Sequence, residues 1–274
     1  MATDPYRKFV RLTEQLWRVP LPAPGKAPRR APAAPGAPVA LLFSPHPDDE
    51  VLTGLLPLRL QREAGARVVN VAVTLGSNRA RRAARERELA AACAHLGWET
   101  EILGGTGLDE KSPARDPAVW RQRVHAAAEI LRRYRPAWVF YPHAQDEHPT
   151  HRGTHRLAKA ALAEVSASRA APPWRVLTEY WHPLTRPNLL VECPPALLAE
   201  LLAALCCHRG EIARNPYHRT LAAWMMDNVR RGTERVAGPG APAPEFPFGL
   251  LYRVEPSLPA GWTPVLRAGA LLGG

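Results

Sequence analysis

The chain has 274 residues, 46% of them apolar, which is enough for one sizeable core, and no apolar run reaches the roughly 18 residues of a membrane span. Its four cysteines, Cys93, Cys193, Cys206 and Cys207, include no C-x-x-C pair, which argues against a zinc ribbon or a disulfide framework and for free thiols in a reducing cytosol. The formal charge of +11 is carried almost wholly by arginine, and with 30 prolines it reads as a bias of the whole chain rather than a nucleic-acid surface.

Near the N-terminus, Asp4, Arg7, Lys8 and Arg11 interrupt any apolar leader core, so no secretory signal and a cytoplasmic location are expected. Over residues 5–18, Phe9, Val10, Leu12, Leu16 and Trp17 fall at near-helical spacing, which predicts a short amphipathic helix packed on the main body. Residues 19–37 are rich in Pro and Ala and read as an extended linker. Three regions follow: 1–37 as helix and linker, 38–256 as a single α/β domain, and 257–274 as a surface tail.

The run Val39-Ala40-Leu41-Leu42-Phe43 stops at Ser44-Pro45, the pattern of a buried parallel strand. A helix is expected over 51–64 with a kink at Pro57, then a strand over 67–75. Gly76-Ser77-Asn78 supplies a turn and N-cap for a helix over 79–96, which Gly97 ends. A short strand over 100–103, a helix over 118–134 and a buried strand over 137–141 come next. A helix running to 167 and a strand over 174–181 complete the alternation. That order predicts a Rossmann-like, doubly wound and mostly parallel sheet. Beyond Pro183 the rhythm changes: strand-like 189–193, helices over 196–209 and 217–231, and a late strand over 249–254, giving a helical C-terminal region. Trp98, Trp120, Trp138 and Trp174 are expected in the core, and Trp181 beside a cleft.

Two polar knots follow two of these strands. The first holds His46, Asp48, Asp49 and Glu50; the second runs from Pro142 to His155 and includes His143, Asp146, Glu147, His148, His151 and His155. Ligands of open α/β sheets sit at the carboxyl ends of the strands, so neighbouring parallel strands would bring both knots together. Imidazole and carboxylate converging there suit zinc or another borderline divalent metal, with a spare carboxylate able to take a proton from metal-activated water. Read separately, Asp48 or Asp49 could simply cap a helix, and His151 and His155, at i and i+4, also have metal-ligand spacing. The run Arg79, Arg81, Arg82, Arg85 and Arg87, interleaved with Glu86 and Glu88, reads as a solvated face, with Asn78 and Arg79 best placed to meet an anionic substrate group.

His46-Pro47-Asp48-Asp49-Glu50 directly after a first strand resembles the signature of the PIG-L/LmbE-type zinc N-deacetylases, and His148-Pro149-Thr150-His151 resembles that family's second motif. The resemblance implies His46, Asp49 and His151 as metal ligands, zinc as the metal with iron(II) left open, and Asp48 as the base that activates metal-bound water. It implies that His148, as a positively charged imidazole, stabilises the oxyanion and assists the leaving group. The implied activity is removal of an acyl group, most simply acetyl, from an N-acyl amino sugar such as N-acetylglucosamine or its conjugate. The chain departs from the family in carrying Thr150 where an aspartate is usual, which leaves His151 without a neighbouring carboxylate unless Asp146 or Glu147 supplies one. Asp146 joins Asn78 and Arg79 as a candidate substrate-binding residue. The expected partner is a small molecule, without nucleic acid or a membrane span and with a homo-oligomer left open. The alternative reading is an anion- or nucleic-acid-binding protein on the same fold with a degenerate site, which would bind duplex DNA with a steep salt dependence.

Overall fold

The computed structural model describes residues 4–104, 107–166 and 171–271. In chain order the elements are α1 (Pro5–Arg18), β1 (Val39–Ser44), α2 (Asp49–Leu52), α3 (Leu55–Ala64), β2 (Arg67–Ala72), a 3-10 turn (Arg79–Arg81), α4 (Arg82–Leu96), β3 (Glu99–Ile102), α5 (Ser112–Arg115), α6 (Pro117–Tyr134), β4 (Trp138–Pro142), α7 (Pro149–Ser166) and β5 (Trp174–Thr178). The C-terminal part adds β6 (Leu189–Glu192), α8 (Pro195–Leu205), α9 (Arg209–Arg214), α10 (Tyr217–Arg235), β7 (Gly249–Glu255) and β8 (Val265–Leu266).

The strands form one sheet in the order β3-β2-β1-β4-β5-β7-β6-β8. The first five are mutually parallel, and β7 runs antiparallel between β5 and β6. The chain leaves β1 towards β2 and β3, then returns to place β4 on the other side of β1, so the strand order reverses between β1 and β4. That reversal opens a crevice at their carboxyl ends, where both polar knots begin.

Alternation along β1 explains the two-sided core. Ala40 and Leu42 face a cluster built with α2, α3, α4 and α8, whereas Val39, Leu41 and Phe43 face the layer of α6 and α7. The sheet is therefore covered on both faces, which is why its strands are continuous apolar runs. All four cysteines are free thiols, and Cys93, Cys193 and Cys206 are buried.

Four expectations change. The helix expected over 51–64 is divided at Thr53 and Gly54, because Gly54 sits where a Cβ would meet the Glu50 carbonyl and the Trp98 ring. Pro57 falls in the first turn of α3, where a missing N–H costs little, and marks no kink. Within the stretch expected to be a tail, Val265–Leu266 pairs in parallel with β6. The fully buried Arg59 holds it there, donating to the carbonyls of Leu266 at 2.7 Å and Glu192 at 3.2 Å while Glu63 balances its charge at 2.6 Å. Lastly, α1 does not pack on the body: none of its residues is buried. The expected end of α7 at Ala167 lies outside the described residues.

Candidate metal centre

The first knot is a tight turn that carries β1 into α2. Asp48 has φ 117°, rare for a residue with a Cβ, and such strain persists only where the surroundings over-determine it. Here the Asp48 N–H donates to Glu50 Oε2 at 2.8 Å, and its carbonyl accepts from Val51 and Leu52, both at 3.1 Å. Glu50 is anchored in turn by His208, whose Nε2 lies 2.7 Å from Oε1 with both side chains fully buried. On the other flank, Arg85 donates to the Pro47 carbonyl at 3.1 Å and lies 3.5 Å from Glu211. The turn is thus tied to α4 and to the helices beyond β6.

The second knot leads from β4 into α7. Asp146 Oδ1 accepts from the His148 N–H at 2.8 Å, and Oδ2 accepts from the Trp181 N–H at 3.3 Å, so one buried carboxylate joins the loop to the chain after β5. Close packing of α7 depends on Gly153, where a Cβ would stand 2.8 Å from the Asp109 backbone.

The two knots meet. Asp49 Oδ2 lies 3.3 Å from His46 Nδ1 and 3.4 Å from His151 Nε2, and it also accepts from the His46 N–H at 2.9 Å. His151 Nδ1 lies 3.3 Å from Asp146 Oδ2. The rings of His46, His148 and His151 have centroids 4.9 to 5.5 Å apart, and donor atoms of the three converge within 4.8 Å of one another. Both nitrogens of the buried His151 lie near carboxylates yet make no aligned hydrogen bond. An unsatisfied buried imidazole beside a carboxylate and a second histidine is a donor set that fits a borderline divalent metal.

Electrostatics divides these groups. Burial opposes charge on Asp49, but His151 and His46 outweigh it and hold the carboxyl well below the usual carboxylate range. Burial likewise opposes charge on His151, and Asp49 with Asp146 overcomes it, raising the imidazole to about 10. Asp48 moves the other way: burial first, then Asp49 and Glu50, push its carboxyl well above the ordinary value. His148 is lowered to about 4 by burial and by the neighbouring His46 and His151. The shift favours the neutral imidazole, where the resemblance implied a charged one. The Thr150 N–H donates to its Nδ1 at 3.2 Å, which leaves the Nε2–H as the donor.

Above this floor lies a cleft of about 420 Å³, a volume typical of small-molecule sites. His46, Asp48, Asp49 and His148 form its base. Tyr180, Trp181 and Tyr217 provide an aromatic wall, and Arg85, Glu211 and Arg214 a charged one. Trp181 is where the sequence places it; Tyr180, Tyr217, Glu211 and Arg214 are missed, because nothing in their local pattern marks them. Gly76, with φ +84°, brings the backbone after β2 to the cleft where a side chain would strike Arg85.

The substrate-binding expectations are revised. Asn78 and Arg79 are exposed and do not line the cleft, since the Asn78 side chain is engaged in capping the Ala80 N–H at 3.1 Å. Arg85, two turns further on, lines the cleft. Asp146 lies behind His151 and supplies the carboxylate that Thr150 lacks, whereas Glu147 is exposed and pairs with His182 at 3.3 Å. His155 turns away, its Nδ1 2.9 Å from the Pro142 carbonyl, and His143 Nε2 lies 2.9 Å from the His182 carbonyl.

Residues 41–162 match the family model described as PIG-L, GlcNAc-PI de-N-acetylase. Over 216 residues the chain is 32% identical to 1D-myo-inositol 2-acetamido-2-deoxy-alpha-D-glucopyranoside deacetylase 1 of Catenulispora acidiphila, covering 64% of this chain and 63% of that protein. The chain thus spans somewhat under two thirds of that relative. Among solved structures, N,N'-diacetylchitobiose deacetylase from Pyrococcus horikoshii superposes with a TM-score of 0.60 at 20% identity, covering 92% of each chain. GalB, the 4-carboxy-2-hydroxymuconate hydratase of Pseudomonas putida KT2440, gives 0.64 at 18% identity, covering 82% of this chain and 100% of that one. At such identities the likeness establishes the fold, which here accompanies both a deacetylase and a hydratase. The likeness to the PIG-L family is carried by residues 41–162, somewhat under half of the chain, and the likeness to the solved structures is one of fold.

Proposed function

We propose that the protein is a metal-dependent hydrolase that removes the acetyl group from an N-acetyl amino sugar or a conjugate of one. The observation that carries this reading is the meeting of the two knots: His46, Asp49 and the unsatisfied His151 converge beneath a cleft whose base also holds Asp48 and a neutral His148. The description of the matched family and the name of the Catenulispora relative support the amide and the amino sugar as substrate class.

In this reading His46, Asp49 and His151 hold the metal, and Asp146 orients His151 from behind. When bound, zinc or iron(II) supplies Lewis acidity towards water and the acyl carbonyl. Asp48 does the proton work. Its burial beside Asp49 and Glu50 raises its proton affinity, so it can accept a proton from the attacking water. The strained backbone at Asp48 is held by Glu50 and His208, which keeps the carboxylate aimed into the cleft rather than capping α2. His148, with its proton on Nε2, donates to the acyl oxygen as negative charge develops there. The C–N bond then breaks, and the proton held by Asp48 goes to the departing amine. The aromatic wall of Tyr180, Trp181 and Tyr217 suits the apolar face of a sugar ring, and the polar wall its hydroxyls.

The test is release of free amine and acetate from a panel of N-acetylglucosamine conjugates by the metal-loaded enzyme, beside Asp48→Asn. Turnover by the wild type, lost in a variant that keeps its metal, is the expected result. Equal turnover by both would remove Asp48 from the chemistry, and water addition to an unsaturated acid without amide cleavage would point to a hydratase instead.

A further inference from the structure

Helix α1 is unlike every other element. All of its residues are exposed: Phe9 is 71% and Leu16 72% exposed, and Tyr6, Val10, Leu12 and Trp17 are exposed with them. It is nevertheless well formed, capped by Asp4 accepting from the Tyr6 N–H at 3.0 Å and started by a proline in its first turn. At about 100° per residue, those six apolar side chains fall within one arc of roughly 160°. Arg7, Lys8, Arg11 and Arg18 all fall in the remaining arc, with Glu14 its single acid. Within the apolar arc the one polar side chain is Thr13, whose hydroxyl donates to the Phe9 carbonyl at 3.1 Å.

The helix and the segment after it are tied to the body at two points. Arg219 donates to the Trp17 carbonyl at its last turn, and further along Arg30 pairs with Glu200 at 2.8 Å. Between them the chain has neither helix nor strand and is Pro-rich, a semi-rigid spacer rather than a loose tether.

We propose that α1 is a docking element for an anionic lipid surface, lying in the plane of the interface. Three features select this occupant. Segregated arcs with aromatic and leucine side chains opposite arginine and lysine are the composition of an interfacial helix. Tyr6 and Trp17 have rings with one polar and one apolar end, which suits the headgroup boundary, while the arginines can reach phosphates along their aliphatic stems. The chain as a whole carries +11, so its field draws the helix towards a negative surface and opposes the approach of a second copy. Among the described residues no helix is long and apolar enough to cross a membrane. The inference is independent of the reaction assigned to the cleft.

The experiment is co-sedimentation of the full chain with unilamellar phosphatidylcholine vesicles containing about 30% phosphatidylglycerol, and with vesicles of phosphatidylcholine alone. The wild type should bind the anionic vesicles and release at high salt. The double substitution Phe9→Glu and Leu16→Glu should lower the partition coefficient about tenfold or more, since it places charge in the apolar arc. Arg7→Glu with Arg11→Glu should weaken binding to the anionic vesicles selectively. Because α1 buries none of its residues, both variants should keep the wild-type melting temperature. Equal binding by wild type and the Phe9/Leu16 variant would overturn the proposal, because the basic body alone would then account for adsorption. So would absence of binding, or a dimer in solution that the same substitutions dissociate.

Discussion

The floor of the cleft and its walls are built by opposite strategies. The floor comes from two short, contiguous segments, His46–Glu50 and Asp146–His151, each fixed at the end of a parallel strand. The walls come from α4, α9, α10, the chain after β5 and the loop at Gly107–Asp109, each giving one to three side chains. The floor is internally bonded, with Asp48, Asp49, Asp146 and His151 buried and His46 and His148 partly so; in the wall Glu211 is buried, Trp181 half exposed and Arg214 largely exposed. The difference separates bond-breaking chemistry, which needs a few groups held in strict geometry, from substrate choice, which spreads over many replaceable side chains.

If that division is right, floor substitutions should be catastrophic and wall substitutions graded. His151→Ala should have the largest effect, abolishing metal retention and lowering kcat/KM by about a thousandfold or more, as measured on protein dialysed and assayed at fixed metal. Asp48→Asn should come next, lowering kcat about 10²- to 10⁴-fold with metal content unchanged. A residue that supports the floor only through position should register as stability: His208→Ala leaves Glu50 buried without its imidazole partner, costing about 3 kcal/mol in denaturant unfolding. Trp181→Ala in the wall should raise KM about tenfold and change kcat within about twofold, which steady-state kinetics resolves. A comparable fall in kcat would mean that the wall shares in the chemistry.

The smallest expected effect is one of pH on the metal-free protein. His151 titrates at 6.5 when unperturbed and about 10 in the folded chain, so its pairing with Asp49 stabilises the fold fully below 6.5. That contribution is lost as pH rises through about 10. Metal-free wild type should therefore lose melting temperature between pH 7 and 10 more steeply than His151→Gln.

The same division governs what was legible in the sequence. The strand–helix order gave the parallel sheet, and the two knots stood at strand ends because buried strands are apolar runs with abrupt polar stops. The ligand set came from the resemblance of the two motifs, with His46 and Asp49 three residues apart in the first and His151 in the second. The walls were opaque because Tyr217, Glu211 and Arg85 converge only through tertiary packing. Asn78 and Arg79 were misplaced because a cap and a 3-10 turn face them to solvent. The packing expected of α1 failed for a related reason: an amphipathic pattern specifies an apolar face without saying what covers it. At the C-terminus, one buried arginine among leucines, Arg59, held the unread signal for β8.

The central claim, that two distant motifs build one metal centre with His148 outside it, is tested most directly by metal content. His148 is the informative residue, since its donor atom lies within the same 4.8 Å convergence as those of His46 and His151. Wild type, Asp49→Asn, His151→Ala and His148→Gln would be dialysed against the same metal buffer and analysed for bound metal. The account predicts about one equivalent in wild type and His148→Gln, and loss from Asp49→Asn and His151→Ala. Metal kept by Asp49→Asn and lost from His148→Gln would contradict it, replacing the carboxylate with a third histidine and leaving the oxyanion without its donor.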